Sequence, residues 1–534
     1  MAFLQKEPSM ITEIMLPASD GVRLYTVLAL PEGGGPCPTV LLRTPYDAPS
    51  PTRQALEKRL GREPLFSFLS HGYAVILQHC RGRGGSEGVC VPYSEEERRD
   101  GFETLAWLRT LPHYNGEVYF SGGSYTASVL LLLLDGEIPD LRGIVVRVQT
   151  DRLYHRNFIG GMNRSFSGFS WWLSMIRRHL PVTAPEGEDL YRRPYREMMR
   201  RAVGEDLPAF TDTLLHDRYD AFWQEDHRFR VIEEMRVPVL FVSGWYDYYI
   251  YGMCSMWERL PAEIRARSAF LVGPWGHSCR VPENAEYPLP DAVLPPDHAA
   301  AWFDSLRGKG AFPYAAPGTM RCYLIGSGKW ISAPGPYPRA ADTVFYLTPE
   351  GALRREPPAP AARSYRYDPE DRALPRDRYD FIYRGPEKGK YPDVLSFESE
   401  PFEEETSFLG PVGFFADVSS DCDDTAFCVR VYLVEDGAAY NLADTASTLL
   451  HADPAYRRGS VCRLEIETSP VAFTVKKGGA LRVDVSSYSD AYAPHANTAE
   501  HFALATGTRV AENTLFFGRT AIALSRLPGT DQTL

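Results

Sequence analysis

Residues 117–128 read Glu-Val-Tyr-Phe-Ser-Gly-Gly-Ser-Tyr-Thr-Ala-Ser, and an apolar run follows to Leu134. The pattern predicts a buried strand, a sharp turn and then a helix. Gly122 and Gly123 supply the small residues that such a turn needs, because the strand and helix backbones pass closely. The turn would expose the hydroxyl of Ser124 above a sheet, where it can act as a nucleophile. The same residues also suit a Gly-Gly-Ser turn without any chemistry.

The sequence on either side of this turn alternates short apolar runs with helical patterns. Such alternation predicts a mostly parallel sheet with helices on both faces. Residues 150–232 are helical and rich in Arg, Tyr, Trp and Met, so we interpret them as a cap inserted between residues 1–149 and 233–310 of one α/β domain. The buried strands are predicted at residues 38–43, 73–78, 118–120, 143–146, 237–242 and 269–272.

Residues 311–534 have a different pattern, in which Pro and Gly clusters separate short alternating strands. Helical periodicity is almost absent there, which is typical of an all-β sandwich or jelly roll. We therefore predict that a β jelly-roll domain follows the α/β domain. Its clearest strands are predicted at residues 320–325, 343–347, 427–434 and 480–487.

A serine nucleophile needs a histidine base, and the histidine needs a carboxylate that orients it. Asp247 follows the strand at 237–242, and His277 follows the strand at 269–272. The order Ser124, Asp247, His277 is the order of nucleophile, acid and base in α/β-hydrolases. Each residue taken alone also fits a purely structural role.

The residue after the nucleophile supplies a further part of such a site. The backbone N–H of Tyr125 would point at the oxyanion that develops on an attacked carbonyl. Thr126 stands where a glycine usually completes the turn motif, so the sequence departs from the common pattern directly behind Ser124.

Several motifs occur in a fixed order along the chain. They are residues 43–46 (Arg-Thr-Pro-Tyr), 81–88 (Arg-Gly-Arg-Gly-Gly-Ser-Glu-Gly), 122–125 (Gly-Gly-Ser-Tyr), 244–247 (Gly-Trp-Tyr-Asp), 273–277 (Gly-Pro-Trp-Gly-His), 410–412, 418–421 and 424–427. Together they resemble the cocaine esterase and X-Pro dipeptidyl-peptidase type of α/β-hydrolase, the CocE/NonD family. The resemblance implies an α/β-hydrolase fold with an inserted helical cap and a C-terminal jelly roll. It also implies that Tyr46 donates its hydroxyl to the oxyanion beside the Tyr125 amide.

The sequence departs from the family pattern in ways that affect the expected substrate. His79 stands where the family commonly has Asp, which bears on the ion pairing of the following Arg81 loop. The X-Pro peptidase branch typically carries a large extra N-terminal domain, whereas the motifs here start near residue 40, so a peptidase role is less favoured. The α-amino acid ester hydrolase branch holds a substrate ammonium in a carboxylate cluster, although a solvated acidic face is the favoured interpretation here. The candidate carboxylates are Asp151, Glu225 and Asp226.

Aromatic side chains of the cap and of the acid loop are candidates for binding the acyl group. For the cap residues we weigh this role evenly against membership of the cap's own core. A site of this kind would favour an aromatic or bulky acyl group. The candidates are Phe169, Trp171, Trp172, Trp245 and Tyr248.

The charge balance argues against some classes of partner. Lys plus Arg total 57 and Asp plus Glu total 69, so the formal net charge is -12, and no long basic run is present. Binding to nucleic acid or to a membrane is therefore not expected. The nine cysteines are scattered and the N-terminus lacks a leader pattern, which together indicate a cytoplasmic protein. Because the cysteines and histidines show no zinc-type spacing, we expect neither a metal nor an organic cofactor.

The sequence thus predicts a serine esterase or amidase that cleaves a small-molecule substrate through an acyl-enzyme. An acyltransferase or an α-amino acid ester hydrolase or aminopeptidase-like enzyme with the same triad stays open as an alternative. A metal-dependent hydrolase and a non-enzymatic binder are further alternatives. By analogy, the broad surface of the jelly roll offers a place for a homodimer contact.

Overall fold

A computed structural model describes residues 10–33, 35–46, 65–164, 166–176, 192–225, 231–334, 337, 341–371 and 381–527 of the chain. The described residues form two large β-sheets. The first sheet carries the predicted nucleophile, acid and base at its strand ends, and the second sheet belongs to the C-terminal part of the chain.

The first sheet is built mainly from parallel strands. In chain order, the strands up to residue 334 are β1 (Met10–Pro17), β2 (Arg23–Leu30), β3 (Cys37–Thr44), β4 (Ala74–His79), β5 (Tyr114–Gly123), β6 (Leu141–Arg147), β7 (Phe158–Ile159), β8 (Met162–Asn163), β9 (Val239–Gly244), β10 (Ala269–Gly273), β11 (Thr319–Leu324) and β12 (Lys329–Pro334). The sheet has the order β1-β2-β4-β3-β5-β6-β9-β10-β11-β12, while β7 pairs with β8. The strands from β4 to β11 in this order are parallel, and antiparallel strands complete both edges.

The central strands are apolar throughout because both faces of this sheet are covered. All eight positions of β3 are buried, and so are all six of β9. In β3, Leu41 belongs to the core on one face, whereas Val40 and Leu42 belong to the core on the other. The α/β-hydrolase fold with a mostly parallel sheet is therefore confirmed.

Helices cover both faces of this sheet. In chain order, the α-helices of the described residues are α1 (Leu65–Ser70), α2 (Glu95–Leu108), α3 (Tyr125–Leu131), α4 (Tyr154–Asn157), α5 (Phe166–Ile176), α6 (Met198–Val203), α7 (Pro208–Leu215), α8 (Ala221–Glu225), α9 (Ile250–Arg259), α10 (Ala262–Arg265), α11 (His298–Leu306) and, in the C-terminal domain, α12 (Leu449–Ala452). Helices α1 and α11 pack on one face, and α2, α3 and α9 pack on the other. No helix among the described residues combines the length and the apolarity needed to cross a bilayer.

The hairpin β11–β12 extends the first sheet beyond residue 310, where the sequence places the start of the β domain. Strand β11 pairs in parallel with β10, with Met320 beside Phe270, and β12 then pairs with β11 in the antiparallel sense. Alternating apolar residues reveal a strand but do not say which sheet it joins. The predicted domain limits at residues 149, 232 and 310 stay a prediction.

The inserted helices α4 to α8 lie between β6 and β9 in the chain and have a core of their own. Phe169 and Phe210 pack with their ring centroids 5.7 Å apart, and Met199 is fully buried in the same cluster. Phe158 packs against Phe502 of the C-terminal domain, with 5.6 Å between ring centroids. The cap core therefore continues into the C-terminal domain.

The C-terminal domain is β-rich, as the sequence predicts. Its strands are β13 (Thr343–Leu347), β14 (Ala352–Arg354), β15 (Ala362–Tyr367), β16 (Leu395–Ser399), β17 (Thr406–Gly410), β18 (Gly413–Ser420), β19 (Ala426–Glu435), β20 (Ala438–Thr448), β21 (Cys462–Glu467), β22 (Val471–Val475), β23 (Ala480–Ser486) and β24 (Ala511–Leu524). The second sheet has the order β20-β19-β23-β16-β14-β13-β24-β18-β21, with β15 also paired to β24, and β17 pairs with β22. The finer description of this domain as a jelly roll stays a prediction.

Candidate active site

Ser124 lies in the turn between β5 and α3, with φ 55° and ψ -134°, and is partly exposed. Positive φ costs a residue with a side chain roughly 1–3 kcal/mol, so the surrounding structure must hold it in place. Gly122 provides the space, because a Cβ there would lie 2.4 Å from the carbonyl oxygen of Thr126. The Thr126 hydroxyl accepts from the Gly123 N–H and donates to the Gly123 carbonyl, both at 2.6 Å. The unusual Thr126 thus ties the turn together.

The loops that carry Asp247 and His277 are neighbours because β9 and β10 are adjacent parallel strands. Beyond the strand ends, the Trp245 N–H donates to the Gly273 carbonyl at 3.0 Å. The N–H of the following residue donates to the Trp275 carbonyl, also at 3.0 Å. Gly244 permits this contact, since a Cβ at that position would lie 1.9 Å from the Trp275 carbonyl oxygen.

Asp247, His277 and Ser124 form one hydrogen-bonded chain. Nδ1 of His277 lies 2.6 Å from Oδ2 of Asp247, and Nε2 of His277 lies 2.9 Å from Oγ of Ser124. The Asp247 carboxylate is fully buried, and its Oδ1 accepts from the Tyr249 N–H at 2.7 Å. With Nδ1 protonated toward the carboxylate, Nε2 is free to accept the serine proton. The geometry is that of a nucleophile, a base and a group that orients the base.

Two tyrosines enclose the imidazole of His277. The Tyr248 ring stacks on it with 4.7 Å between centroids and an interplanar angle of 21°, and the Tyr249 ring lies at 5.7 Å. Burial raises the pKa of Tyr248 well above its ordinary value and that of Tyr249 to about 12. Both phenols are therefore neutral at physiological pH, and their rings keep water away from one side of the imidazole.

Tyr125 is held by a carboxylate that the sequence reasoning missed. Its buried hydroxyl donates to Oε2 of Glu97 at 2.5 Å and accepts from the Tyr93 N–H at 2.9 Å. Burial raises the pKa of Glu97 above its ordinary value. The backbone N–H of Tyr125 is the first of α3 and has no intrahelical acceptor. The spacing of Ser94 and Glu97 is a helix-start pattern that could have drawn attention to this carboxylate.

Tyr46 lies two residues beyond the end of β3, and 37% of its surface is exposed. The carbonyl of the preceding Pro45 accepts from Nε of Arg83 at 2.5 Å, and Nη1 of Arg83 donates to the Met175 carbonyl at the end of α5 at 3.0 Å. Arg83 therefore connects the Tyr46 segment to the cap. Tyr46 is an electrostatic neighbour of Tyr249, on the same side as the triad. Its donation to an oxyanion stays a prediction.

The loop after β4 keeps its ion pairs despite the histidine at position 79. Arg81 binds Asp100 through two hydrogen bonds of 2.8 and 2.6 Å and also lies 2.9 Å from Asp20. Nδ1 of His79 accepts from the Gly85 N–H at 3.0 Å. The histidine thus stabilises the loop through its backbone, while Arg81 finds its carboxylates on α2 and on the turn between β1 and β2.

The aromatic candidates of the cap divide between two environments. Phe169 and Trp172 pack against Phe210, with 5.7 and 6.3 Å between ring centroids. They therefore line the cap core rather than the triad. Trp171 lies 5.2 Å from Tyr125 between ring centroids, beside the nucleophile. Neighbouring residues of a helix point about 100° apart, so Trp171 and Trp172 of α5 face different surroundings.

A cleft opens between the acid loop, the cap and the β-rich domain, and Asp247 is the triad residue that lines it. Trp245 and Tyr248 both line it. Trp245 is almost fully buried, and its indole N–H donates to the Tyr323 carbonyl at 2.8 Å. The cleft also receives Arg156, which the sequence reasoning missed because a lone arginine in a short helix carries no recognisable signal.

Of the candidate carboxylates for an ammonium site, Asp151 does not line this cleft. Asp151 is buried and lies 2.6 Å from the guanidinium of Arg259, so its charge is already compensated inside the protein. Asp226 and the side chain of Glu225 lie outside the described residues.

Two family models match the chain. Residues 20–279 match the model described as X-Pro dipeptidyl-peptidase (S15 family), and residues 315–522 match the X-Pro dipeptidyl-peptidase C-terminal non-catalytic domain. Together the two matches span most of the chain, in the order in which the α/β fold and the β-rich domain occur. Fold and site therefore define a serine hydrolase, an enzyme with a catalytic α/β domain followed by a non-catalytic β-rich domain.

Comparisons with individual proteins show which serine hydrolases the chain is similar to. The chain is similar to cocaine esterase from Rhodococcus sp. (strain MB1 Bresler), with 26% identity over 483 residues that cover 82% of each chain. Its fold resembles that of an aminopeptidase from a Thaumarchaeota archaeon (TM-score 0.78, 20% identity, 97% of this chain and 96% of that chain). It equally resembles an α-amino acid ester hydrolase (TM-score 0.78, 22% identity, with the same coverage). The two family matches and these relatives confirm the resemblance of the motifs to the cocaine esterase and X-Pro dipeptidyl-peptidase type of α/β-hydrolase.

Proposed function

We propose that the protein hydrolyses a small-molecule ester or amide through an acyl-enzyme on Ser124. The observation that carries this proposal is the continuous hydrogen-bond path from Asp247 through His277 to Ser124, with steps of 2.6 and 2.9 Å. A serine hydroxyl is a weak nucleophile on its own, and this path supplies a base together with the group that orients it.

The reaction begins when Oγ of Ser124 attacks the substrate carbonyl and Nε2 of His277 takes the hydroxyl proton. The Asp247 carboxylate keeps Nδ1 protonated and stabilises the imidazolium that forms. The bond to the leaving group then breaks, and the imidazolium gives its proton to the departing alcohol or amine. Water repeats the two steps on the acyl-enzyme and releases the acid and the free serine.

The tetrahedral intermediate places negative charge on the former carbonyl oxygen, and this charge needs hydrogen-bond donors. We assign this role to the backbone N–H of Tyr125 and the hydroxyl of Tyr46. The buried hydrogen bond between Tyr125 and Glu97 supports the first assignment, because it fixes the residue that carries the amide. Removing one donor of this kind typically lowers kcat by about 10²- to 10³-fold.

Covalent labelling tests the proposal directly. A fluorophosphonate should label the wild-type protein stoichiometrically, and Ser124→Ala should abolish both labelling and ester hydrolysis. Ser128→Ala is the matched control, because Ser128 is a buried serine on the helix that follows Ser124 and its hydroxyl accepts from the Gln149 side chain. The control should keep its labelling. Persistent labelling of Ser124→Ala would remove this serine from the mechanism.

The proposal also concerns the cellular compartment and the oligomeric state of the protein. All nine cysteine side chains lie among the described residues, are buried and remain thiols, which supports a reducing compartment such as the cytoplasm. A homodimer through the β-rich domain stays a prediction.

A further inference from the structure

Arg156 places a positive charge near the triad, among aromatic side chains. It belongs to α4 of the cap, is partly buried and lines the cleft. Its guanidinium carbon lies 5.4 Å from the centroid of the Trp171 ring, and its side chain faces the hydroxyl of Tyr249. Among the described residues, no Asp or Glu lies within ion-pair distance of it.

The other arginines that line the cleft have partners of their own, and Arg430 donates to the hydroxyls of Tyr383 and Ser489. Arg164 lies over the ring of Tyr492, whose hydroxyl donates to Asp444 at 2.7 Å. Arg430 stands directly opposite Asp444 in the register of β19 and β20. Asp247 also reaches the cleft, but both of its oxygens already accept hydrogen bonds within the protein. The neighbours that the described residues give Arg156 are the Trp171 ring and tyrosine hydroxyls.

Arg156 lies near both the nucleophile and the base of the proposed reaction. On one side, the ring of Trp171 packs against Tyr125, the residue after the nucleophile. On the other side, Tyr249 lies beside His277. A group bound at Arg156 would thus be separated from the base by the Tyr249 ring and from Ser124 by the rings of Trp171 and Tyr125.

Taking a cation out of water is unfavourable unless an anion or good hydrogen-bond acceptors replace the lost hydration. Interaction with aromatic faces recovers only about 0.5–2 kcal/mol of the hydration free energy that the cation loses. A guanidinium is also the side chain best suited to bind a carboxylate, through two parallel hydrogen bonds. The net charge of -12 would repel an anion at long range, so attraction to one must come from a local group of this kind.

We propose that the substrate is an ester or amide that carries a carboxylate, and that Arg156 binds this carboxylate. This inference rests on the proposed function, since it names the substrate class of the same site. It gives the site the charge preference opposite to that of an enzyme that selects a substrate ammonium.

The test uses two pairs of esters that differ only in charge. The first pair is 4-nitrophenyl hydrogen adipate and its methyl ester, which place the charge in the acyl part. The second pair is 4-carboxyphenyl butyrate and its methyl ester, which place the charge in the leaving group. For at least one pair, wild type should hydrolyse the anionic member with the higher kcat/KM.

Arg156→Met should lower the anionic-to-neutral ratio of kcat/KM for that pair by roughly 10- to 100-fold, mainly through KM. It should keep hydrolysis of the neutral member within about threefold of wild type. Arg200→Met is the matched control, because it removes the same charge from an exposed position of the cap. The control should leave the ratio unchanged.

Three outcomes would overturn the inference, and they differ in what else they remove. If wild type hydrolyses neutral esters but prefers neither anionic member, the substrate class is wrong while the serine mechanism stands. If Arg156→Met slows both members of each pair equally, Arg156 only supports the neighbouring tyrosines. If wild type hydrolyses none of the four esters and is not labelled by a fluorophosphonate, the proposed function fails as well.

Discussion

Asp247→Asn removes a charge and exchanges one oxygen for an NH₂ group without changing the shape of the side chain. In the wild type, Oδ2 accepts from Nδ1 of His277 at 2.6 Å, and Oδ1 accepts from the Tyr249 N–H at 2.7 Å. Both oxygens are acceptors, whereas an amide offers a single accepting oxygen. The variant therefore has to abandon one of the two hydrogen bonds.

Each of the two orientations of the amide impairs catalysis, for a different reason. If its oxygen faces Tyr249, its NH₂ donates to Nδ1 of His277, so Nε2 carries the proton and cannot accept one from Ser124. If its oxygen faces His277, two donors meet in a buried place, which costs about 1–3 kcal/mol. In that orientation the charge-assisted bond to the imidazolium is also lost, which removes about 1.5–3 kcal/mol more. The sum of roughly 2.5–6 kcal/mol corresponds to a loss in kcat of about 10²- to 10⁴-fold.

The assay is steady-state hydrolysis of a neutral 4-nitrophenyl ester, with melting temperatures to verify folding. Asp424→Asn is the matched control, because Asp424 is a buried aspartate 3.4 Å from the imidazole of His495 in the β-rich domain. That variant should keep kcat within about threefold of wild type, since it touches no reacting group. A folded Asp247→Asn enzyme that retains more than about a tenth of the wild-type kcat would refute the assigned role of the carboxylate.

Two further predictions concern the supporting structure. Gly244→Ala places a Cβ 1.9 Å from the Trp275 carbonyl oxygen, so it should separate the acid and base loops, lower the melting temperature and reduce kcat/KM at least about tenfold. Gly507→Ala is the control, because a Cβ there meets no atom within 4 Å, and it should change neither the melting temperature nor kcat/KM. Equal behaviour of the two variants would contradict the steric argument. Burial lowers the pKa of His155 to about 4, so stability from its neutral ring is complete above about pH 6.5 and is lost as the pH falls toward 4. His155→Phe keeps the ring packing and should flatten the decline of melting temperature with acid, and parallel curves for variant and wild type would exclude His155 as its source.

The triad could be predicted from the sequence because each of its members follows a strand of the same parallel sheet. The carboxyl ends of such strands meet at one edge, so order along the chain and position after a strand were enough to select Asp247 and His277. The structure brings both together with Ser124 at hydrogen-bonding distance. Turn chemistry also gave the location of the strained serine, because the two preceding glycines mark a close approach of backbones.

Other parts of the site depend on contacts that no local pattern encodes. Periodicity showed that α5 has an apolar face, but the choice between Trp171 and Trp172 depends on what packs against each side of the helix. Arg156 meets the tyrosines of the acid loop only after the cap has folded back over the sheet. The sequence pattern of the strand at 319–324 would be the same whether the strand joined the first sheet, as it does, or the second. In each case the missing information is tertiary, because period and propensity describe one segment at a time.

The departure at Thr126 shows which part of the elbow motif is a steric requirement. The closest approach of strand and helix falls on Gly122, which faces the Thr126 carbonyl, so a side chain is excluded at 122 and not at 126. The Thr126 hydroxyl instead holds both the N–H and the carbonyl of Gly123. The Ser124 N–H donates to the Arg147 carbonyl at 2.9 Å, which holds the other side of the turn. Hydrogen bonds worth about 0.5–1.5 kcal/mol each can offset a backbone strain of roughly 1–3 kcal/mol. The strained serine can therefore persist here without a final glycine, because the turn is held by side-chain bonding where other sequences rely on the absence of a side chain.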